Sequence, residues 1–257
     1  MNSASADLIP FHELKSCKIV SFDSTLWTPS DERIKKRIEK EWRKKQKKKG
    51  VLYNGPLVRA NRMWQEGAVL YIEAQRTDYK THAMTRDDFS IPEEQRGLGL
   101  YATALPLTID GYIVLGVTKT SEKQYQGKVN VIAGGMEPKD VKIGEGLESV
   151  VARELSEETG IKKKEIMSIQ PIYVTRERTV RHPAVVHRVP LRLTRKQTKE
   201  IFLRKVAECK GRGEEPELGE LWFVRAERRE IEREMEERST LYQERVPITL
   251  KYFTQII

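Results

Sequence analysis

Gly134-Gly135-Met136-Glu137-Pro138-Lys139-Asp140-Val141-Lys142-Ile143-Gly144-Glu145-Gly146-Leu147-Glu148-Ser149-Val150-Val151-Ala152-Arg153-Glu154-Leu155-Ser156-Glu157-Glu158-Thr159-Gly160-Ile161 is the stretch on which the reading of this chain turns. Its periodicity predicts a helix over Gly144 to Gly160. Wound at about 100° per residue, Leu147, Val150, Val151 and Leu155 form one apolar stripe. Glu154, Glu157 and Glu158 fall at i, i+3 and i+4, so their carboxylates share a face. That face overlaps the apolar stripe, which aims three acids toward the protein body at the helix's C-terminal end.

Such a cluster is costly without a counter-ion. Two carboxylates at ~4 Å repel by roughly 4 kcal/mol at an effective dielectric of 20. Acids near a helix C-terminus also meet an unfavourable dipole. A divalent cation removes both problems, and all-oxygen ligation selects Mg²⁺ or Mn²⁺ over zinc. The same spacing also fits an exposed acidic helix end in which Arg153 pairs with Glu157 at i+4, and spacing alone does not choose between the two.

The segment resembles the Nudix box, Gly-x5-Glu-x7-Arg-Glu-U-x-Glu-Glu-x-Gly-U, where U is aliphatic. Glu145, Arg153, Glu154, Leu155, Glu157, Glu158, Gly160 and Ile161 match without a gap. The departure is at the front. The expected glycine position holds Lys139, and the nearest fit is Gly135, with nine residues between it and Glu145 instead of five, which reads as a four-residue loop insertion. The resemblance implies hydrolysis of a nucleoside diphosphate linked to another moiety, with Mg²⁺ as cofactor and Mn²⁺ as the alternative. It implies metal ligation by Glu154, Glu157, Glu158 and the Gly134 carbonyl. It gives Arg153 and Glu145 a structural role, holding loop and helix together by ion pairing. The family commonly adds another glutamate before a late strand. In Glu214-Glu215-Pro216-Glu217-Leu218-Gly219-Glu220, Glu217 is favoured because Pro and Gly around it make a turn, and Glu220 is the alternative.

Around this segment, Tyr101–Thr108 and Tyr112–Thr118 flank Asp110-Gly111, a hairpin signal. Strands are expected at 18–22, 68–74, 129–133, 171–176, 185–193 and 221–224. Helices are expected from Thr28-Pro29-Ser30-Asp31 to Gly50, over 194–209 with a Thr194/Gln197 capping box, over 226–238, and from Pro247. Residues 76–99 read as loop. The expected fold is α+β: a Nudix-type α/β/α sandwich with a mixed sheet over 96–257, preceded by a small α+β N-terminal subdomain over 1–95.

The chain has 257 residues and a net charge of +9, much of it between Asp31 and Gly50. That basic stretch suits either a solvated helix face or a polyanion partner, and its one aromatic, Trp42, supplies no interleaved stacking platform. Two cysteines are too few for a disulfide framework, and no apolar run approaches the roughly 18 residues of a membrane span. A reducing cytoplasm is the expected home.

A second resemblance, covering more of the chain, is to the Nudix subfamily that hydrolyses UDP-glucose and has an N-terminal subdomain before the box. The shared features are the Asn54-Gly55-Pro56 turn with Arg59 following, the Thr77-Asp78-Tyr79-Lys80 segment, Arg176 ending a strand after the box, and Leu193-Thr194. The Gly-Thr-Asn that follows the tyrosine in those relatives is absent here. Arg59, Tyr79, Lys80 and Arg176 become the substrate-binding candidates, with Tyr79 stacking on a base and the cations pairing phosphate. His82, His182 and His187 are read as surface or structural. The expected partner is a nucleoside diphosphate-linked small molecule, with RNA second and no membrane.

Overall fold

At the tip of the predicted hairpin, Gly111 takes φ 84°, a left-handed value that favours glycine. It folds β4 (Tyr101–Leu107) back against β5 (Tyr112–Thr118). The computed structural model describes residues 10–49, 53–119, 126–176 and 182–254. Gly50, the expected stop of the basic helix, lies outside these residues.

In chain order the remaining elements are β1 (Ser16–Asp23), α1 (Glu32–Lys49), β2 (Pro56–Glu66), β3 (Val69–Asp78) and α2 (Tyr79–Thr85) before the hairpin. After it come β6 (Val129–Asn130), β7 (Ile132–Gly135), α3 (Glu148–Glu154), β8 (Gln170–Arg176), β9 (Pro183–Pro190), α4 (Arg195–Gly211), β10 (Leu218–Arg225), α5 (Arg228–Arg238) and α6 (Arg245–Phe253). The fold is mixed α+β. The main sheet runs β10-β5-β4-β9-β8, with β6 on β5 and β7 on β4, and only the β4–β9 pairing is parallel among those within it. A second sheet, β1-β3-β2, holds the N-terminal strands.

Helices cover both faces of the main sheet. On one, α3 supplies Leu147, Val150, Val151 and Leu155, all buried as the stripe predicts. They share a single cluster with Ile19, Leu70 and Ile72 of the N-terminal sheet and with Val174 and Val185 of the main one. Residues before and after position 95 therefore share this core. On the other face α5 and α6 pack Ile231, Val246 and Leu250 against Leu105, Leu115 and Val186. Phe202 of α4 closes the edge over Val114, Leu218 and Leu221. Burying side chains of this size contributes roughly 1.5–3 kcal/mol each before chain entropy is charged against it.

Three backbone bonds fasten the two sheets beside β7. Val58 donates to the Met136 carbonyl (2.8 Å), Met136 to Leu100 (2.9 Å), and Leu100 to Val58 (2.7 Å). The box glycines thus sit between β4 and β2.

Three local expectations change. The box helix starts at Glu148, because Gly144 has φ 87° and cannot lie in a right-handed turn. The 76–99 segment is not all loop: β3 runs to Asp78, whose carboxylate caps α2 by accepting from Thr81 N–H at 2.8 Å. Residues 56–66, which carry no clean alternation, form β2; a bulge between Ala60 and Arg62 breaks the pattern. At the start of α1, Asp31 caps by accepting from Arg33 N–H (2.7 Å). Both Thr194 and Gln197 make their reciprocal capping bonds at α4. Cys17 and Cys209 are free and buried, and among the described residues no helix is long and apolar enough to cross a membrane.

Candidate metal centre

Gly134, next to the end of β7, lies against the last turn of α3. A methyl group there would lie 1.8 Å from Glu154 Oε1, so the carboxylate occupies the space that any side chain would need. One residue earlier, Ala133 N–H donates to Glu158 Oε1 at 3.3 Å. The strand end and the helix end therefore meet through two buried carboxylates.

The helix is not regular where they meet. From Leu155 to Thr159 it widens into a π-turn, with the Thr159 hydroxyl donating to the Leu155 carbonyl at 2.5 Å. Such turns are uncommon and concentrate at functional sites. Gly160 then stops the helix at φ 82°, with its N–H donating to Ser156 (3.1 Å). Glu154 and Glu158 end up buried, but the Glu157 side chain is 61% exposed. The expectation that all three acids point inward is corrected for Glu157, which the widened turn leaves at the rim.

Arg153 stands over this group. One terminal nitrogen reaches Glu154 (2.5 Å) and Glu157 (3.3 Å), and the other reaches the Gly135 carbonyl (3.1 Å) and Asp140 (3.1 Å). Burial disfavours its charge, but Glu154, Asp140 and Glu157 more than offset this and hold its pKa above the usual value. The pairing of Arg153 with Glu145 that the resemblance implied is not made. Glu145 faces solvent and pairs with Lys142 at 3.3 Å. Leaving five residues after Gly134, rather than after Gly135, reaches Asp140, whose side chain is 9% exposed. The extra residues accordingly follow the acid. They form a loop that docks on the edge of β1: Gly144 donates to Ile19 (2.8 Å), and Ile19 donates back to the Glu145 carbonyl (2.8 Å).

Charge is crowded here. Desolvation raises Glu154 to about 7; Glu157 and Glu217 push the same way while Arg153 opposes them. Desolvation, then Glu217 and Glu154, carry Glu158 well above the carboxylate range. Glu217 immediately precedes β10. It is exposed at its outer surface but ringed by enough protein that desolvation, and then Glu157, raise it too. Glu217 is the loop acid that raises both members of the buried pair.

These residues fit a divalent cation chemically. They offer hard oxygen donors, a carbonyl at the strand end, and buried carboxylates that repel one another. The cage is not closed: among the described residues no three His, Cys, Asp or Glu side chains gather tightly enough to hold an ion. Glu154 is held by Arg153, and Glu157 turns outward.

The substrate-binding candidates lie elsewhere in protein contacts. Arg59 sits 3.9 Å over the Trp27 ring, and burial lowers its pKa to about 10. Tyr79 meets Trp42 edge-on, with ring centroids 6.1 Å apart. Lys80 pairs with Glu39 (2.5 Å) and Arg176 with Glu93 (2.9 Å). No contact joins these four to the carboxylates among the described residues. His82, His182 and His187 are all buried, so none is a surface residue. His82 Nδ1 lies 3.0 Å from the Gly97 carbonyl, and the ring stacks obliquely on Tyr101.

Asp140 was the functional residue that sequence reasoning passed over. The signal was present in the Gly134-x5-Asp140 spacing, hidden by the second glycine.

No family model and no curated protein matches the chain. Solved structures do. A NUDIX-family hydrolase from Clostridium perfringens is 15% identical with a TM-score of 0.37, over 62% of this chain and 98% of that one. A NUDIX hydrolase from Nitrosomonas europaea is 12% identical with a TM-score of 0.38, over 62% and 88%. A pyrophosphohydrolase from Bacillus subtilis is 13% identical with a TM-score of 0.30, over 54% and 68%. Likeness at this level assigns neither activity nor substrate.

Proposed function

We propose that this chain is a Mg²⁺-dependent Nudix pyrophosphatase that cuts a nucleoside diphosphate-linked sugar, UDP-glucose or a close relative, into a nucleoside monophosphate and a sugar 1-phosphate. The observation that carries the reading is the meeting of Gly134 with Glu154, beside Glu158 on the Ala133 N–H. A buried acid pair pressed against a side-chain-free strand end has no apolar packing role, and it is costly until a cation shares it.

Glu154, Glu158 and the Gly134 carbonyl would hold the cation, with Glu157 joining from the rim. When bound, it supplies Lewis-acid polarisation of the diphosphate oxygens and a lowered pKa for a coordinated water. The chain's own work is positional. Arg153 fixes the end of β7 to α3 through Gly135 and Asp140 and keeps Glu154 in its orientation. The Ala133 N–H does the same for Glu158. Glu217, whose carboxyl desolvation and then Glu157 hold above the ordinary carboxylate range, is the candidate base toward the attacking water.

The nucleotide-sugar half of the proposal is supported by the sequence of the first hundred residues. Asn54 ties two of its features together, accepting from Lys80 N–H (2.6 Å) and donating to Asp78 (3.0 Å). The test is incubation with Mg²⁺ and a panel of UDP-sugars, ADP-ribose, dinucleoside polyphosphates and nucleoside triphosphates, with product identification. Turnover of a UDP-sugar to UMP and sugar 1-phosphate is expected. Turnover confined to the other substrates removes the sugar assignment and leaves the chemistry.

A further inference from the structure

A groove of about 680 Å³ runs along α1, closed on its other side by Leu26, Thr28 and the start of α2. Seven cations and three acids line it. The acids are already engaged: Glu32 pairs with Lys35 (2.6 Å), Glu39 with Lys80 (2.5 Å), and Asp78 accepts from Asn54 and from Thr81 N–H. Four of the cations, Lys36, Lys40, Arg43 and Lys47, are exposed and make no direct ion pair among the described residues. Their spacing of four, three and four puts them in one row, and eleven residues of helix make that row about 17 Å long.

The row does not end in bare solvent. Asn54, bonded to both Asp78 and Lys80, holds the chain at the groove's end. The residue before it, Tyr53, is 80% exposed, the most exposed of the large apolar side chains. Tyr53 follows Lys47 by six positions in the chain, which keeps this exposed ring within reach of a strand laid along the row, and an exposed ring next to a track of cations is the pairing that binds an unstacked base next to its phosphates. Ile38 and Trp42, the apolar face of α1, are buried against the fold, so the helix has no face to lay into a bilayer. A row this long also exceeds what one nucleotide's phosphates can occupy.

We propose that this groove is a docking surface for single-stranded nucleic acid, with Lys36, Lys40, Arg43 and Lys47 neutralising successive phosphates and Tyr53 stacking on a base. None of the lining residues is a candidate metal ligand, so this surface stands whether or not the chain cuts a diphosphate. Binding is sequence-tolerant and governed by counter-ion release, with each phosphate contact contributing about 0.7 to the slope of log affinity against log salt.

The experiment is fluorescence anisotropy of the full chain with a labelled 20-nucleotide poly-U RNA and its DNA counterpart, from 50 to 200 mM NaCl. Beside the natural protein stand two variants of equal charge loss: Lys36→Gln/Lys40→Gln/Arg43→Gln/Lys47→Gln, and a control with Lys196, Lys199, Arg204 and Lys210 of exposed α4 changed to Gln. The groove variant is expected to lose at least tenfold in affinity at 100 mM salt, with the salt slope reduced by roughly 3. The control should lose less than threefold, and Tyr53→Ala should weaken binding by about tenfold. Equal losses in both four-residue variants would reduce the effect to net charge and overturn the proposal. So would binding to phosphatidylserine vesicles or to inorganic polyphosphate in the absence of any binding to either 20-mer.

Discussion

Replacing Asp140 by Asn is the perturbation that best separates this account from a direct transfer of the box pattern. The pair it disturbs is largely out of water: Asp140 is 9% exposed and Arg153 19%. Removing one partner of a buried ion pair costs about 3–5 kcal/mol when the other charge is stranded. Arg153 would not be stranded, since Glu154, Glu157 and the Gly135 carbonyl remain. Asn also retains an oxygen for the Glu137 N–H, now 3.0 Å from Asp140 Oδ2. The expected loss is therefore below that range, about 2 kcal/mol. For a chain of this length that is a fall in melting temperature of roughly 4–8 °C. Glu145→Gln is the matched control. Its pair with Lys142 is 59% and 63% exposed, and such pairs contribute about 0–1 kcal/mol. Urea unfolding followed by tryptophan fluorescence measures both. If Glu145→Gln costs as much as Asp140→Asn, or more, the assignment of the box acid to Asp140 is wrong.

Four further outcomes are expected. Gly134→Ala places a methyl group 1.8 Å from Glu154 Oε1, so turnover should fall at least a hundredfold while the melting temperature drops by only a few degrees. Because Glu154 and Glu158 have raised pKa values, the metal-free protein should lose stability as pH rises from about 4.5 through 7. The stabilisation conferred by Mg²⁺ in thermal melts should correspondingly be larger at pH 8 than at pH 5.5. His187 is held neutral by burial, with its pKa lowered to about 4, so its share of stability is complete above pH 6.5 and is lost below it. At pH 5 that loss is about 2 kcal/mol, and His187→Leu should remove it from the pH dependence of urea unfolding. Glu217→Gln should reduce kcat far more than Glu220→Gln, and equal effects would remove Glu217 from the site.

Much of this arrangement is legible in the residues, and the exceptions have physical causes. The stripe of Leu147, Val150, Val151 and Leu155 is a period-3.6 signal, and all four are buried. The Asp110-Gly111 hairpin and the Thr194/Gln197 capping box are local chemistry, and both are found where the residues place them. β2 escaped because its bulge breaks the alternation, and α2 because seven residues are too few to show a period. At the site, spacing brought Glu154 and Glu158 to one place, but it could not foresee the π-turn that leaves Glu157 at the rim. Neither could it decide which of two adjacent glycines starts the count. That depends on where Arg153 reaches in space, and so Asp140 emerged only from the structure. The same is true of the basic helix: periodicity buries Ile38 and Trp42, but the groove beside its lysines is closed by Leu26 and Thr28 just before the helix together with Asp78, Lys80 and Thr81 far along the chain.

The central claim is that the buried acids at the end of α3 do chemistry. It is tested most directly by the turnover of Glu158→Gln with Mg²⁺ on the best substrate of the panel, alongside a melt showing that the variant is folded. The account predicts loss of about three orders of magnitude in kcat with the fold intact, the scale of several kcal/mol of lost transition-state stabilisation. A folded Glu158→Gln protein that turns over at the natural rate would contradict it.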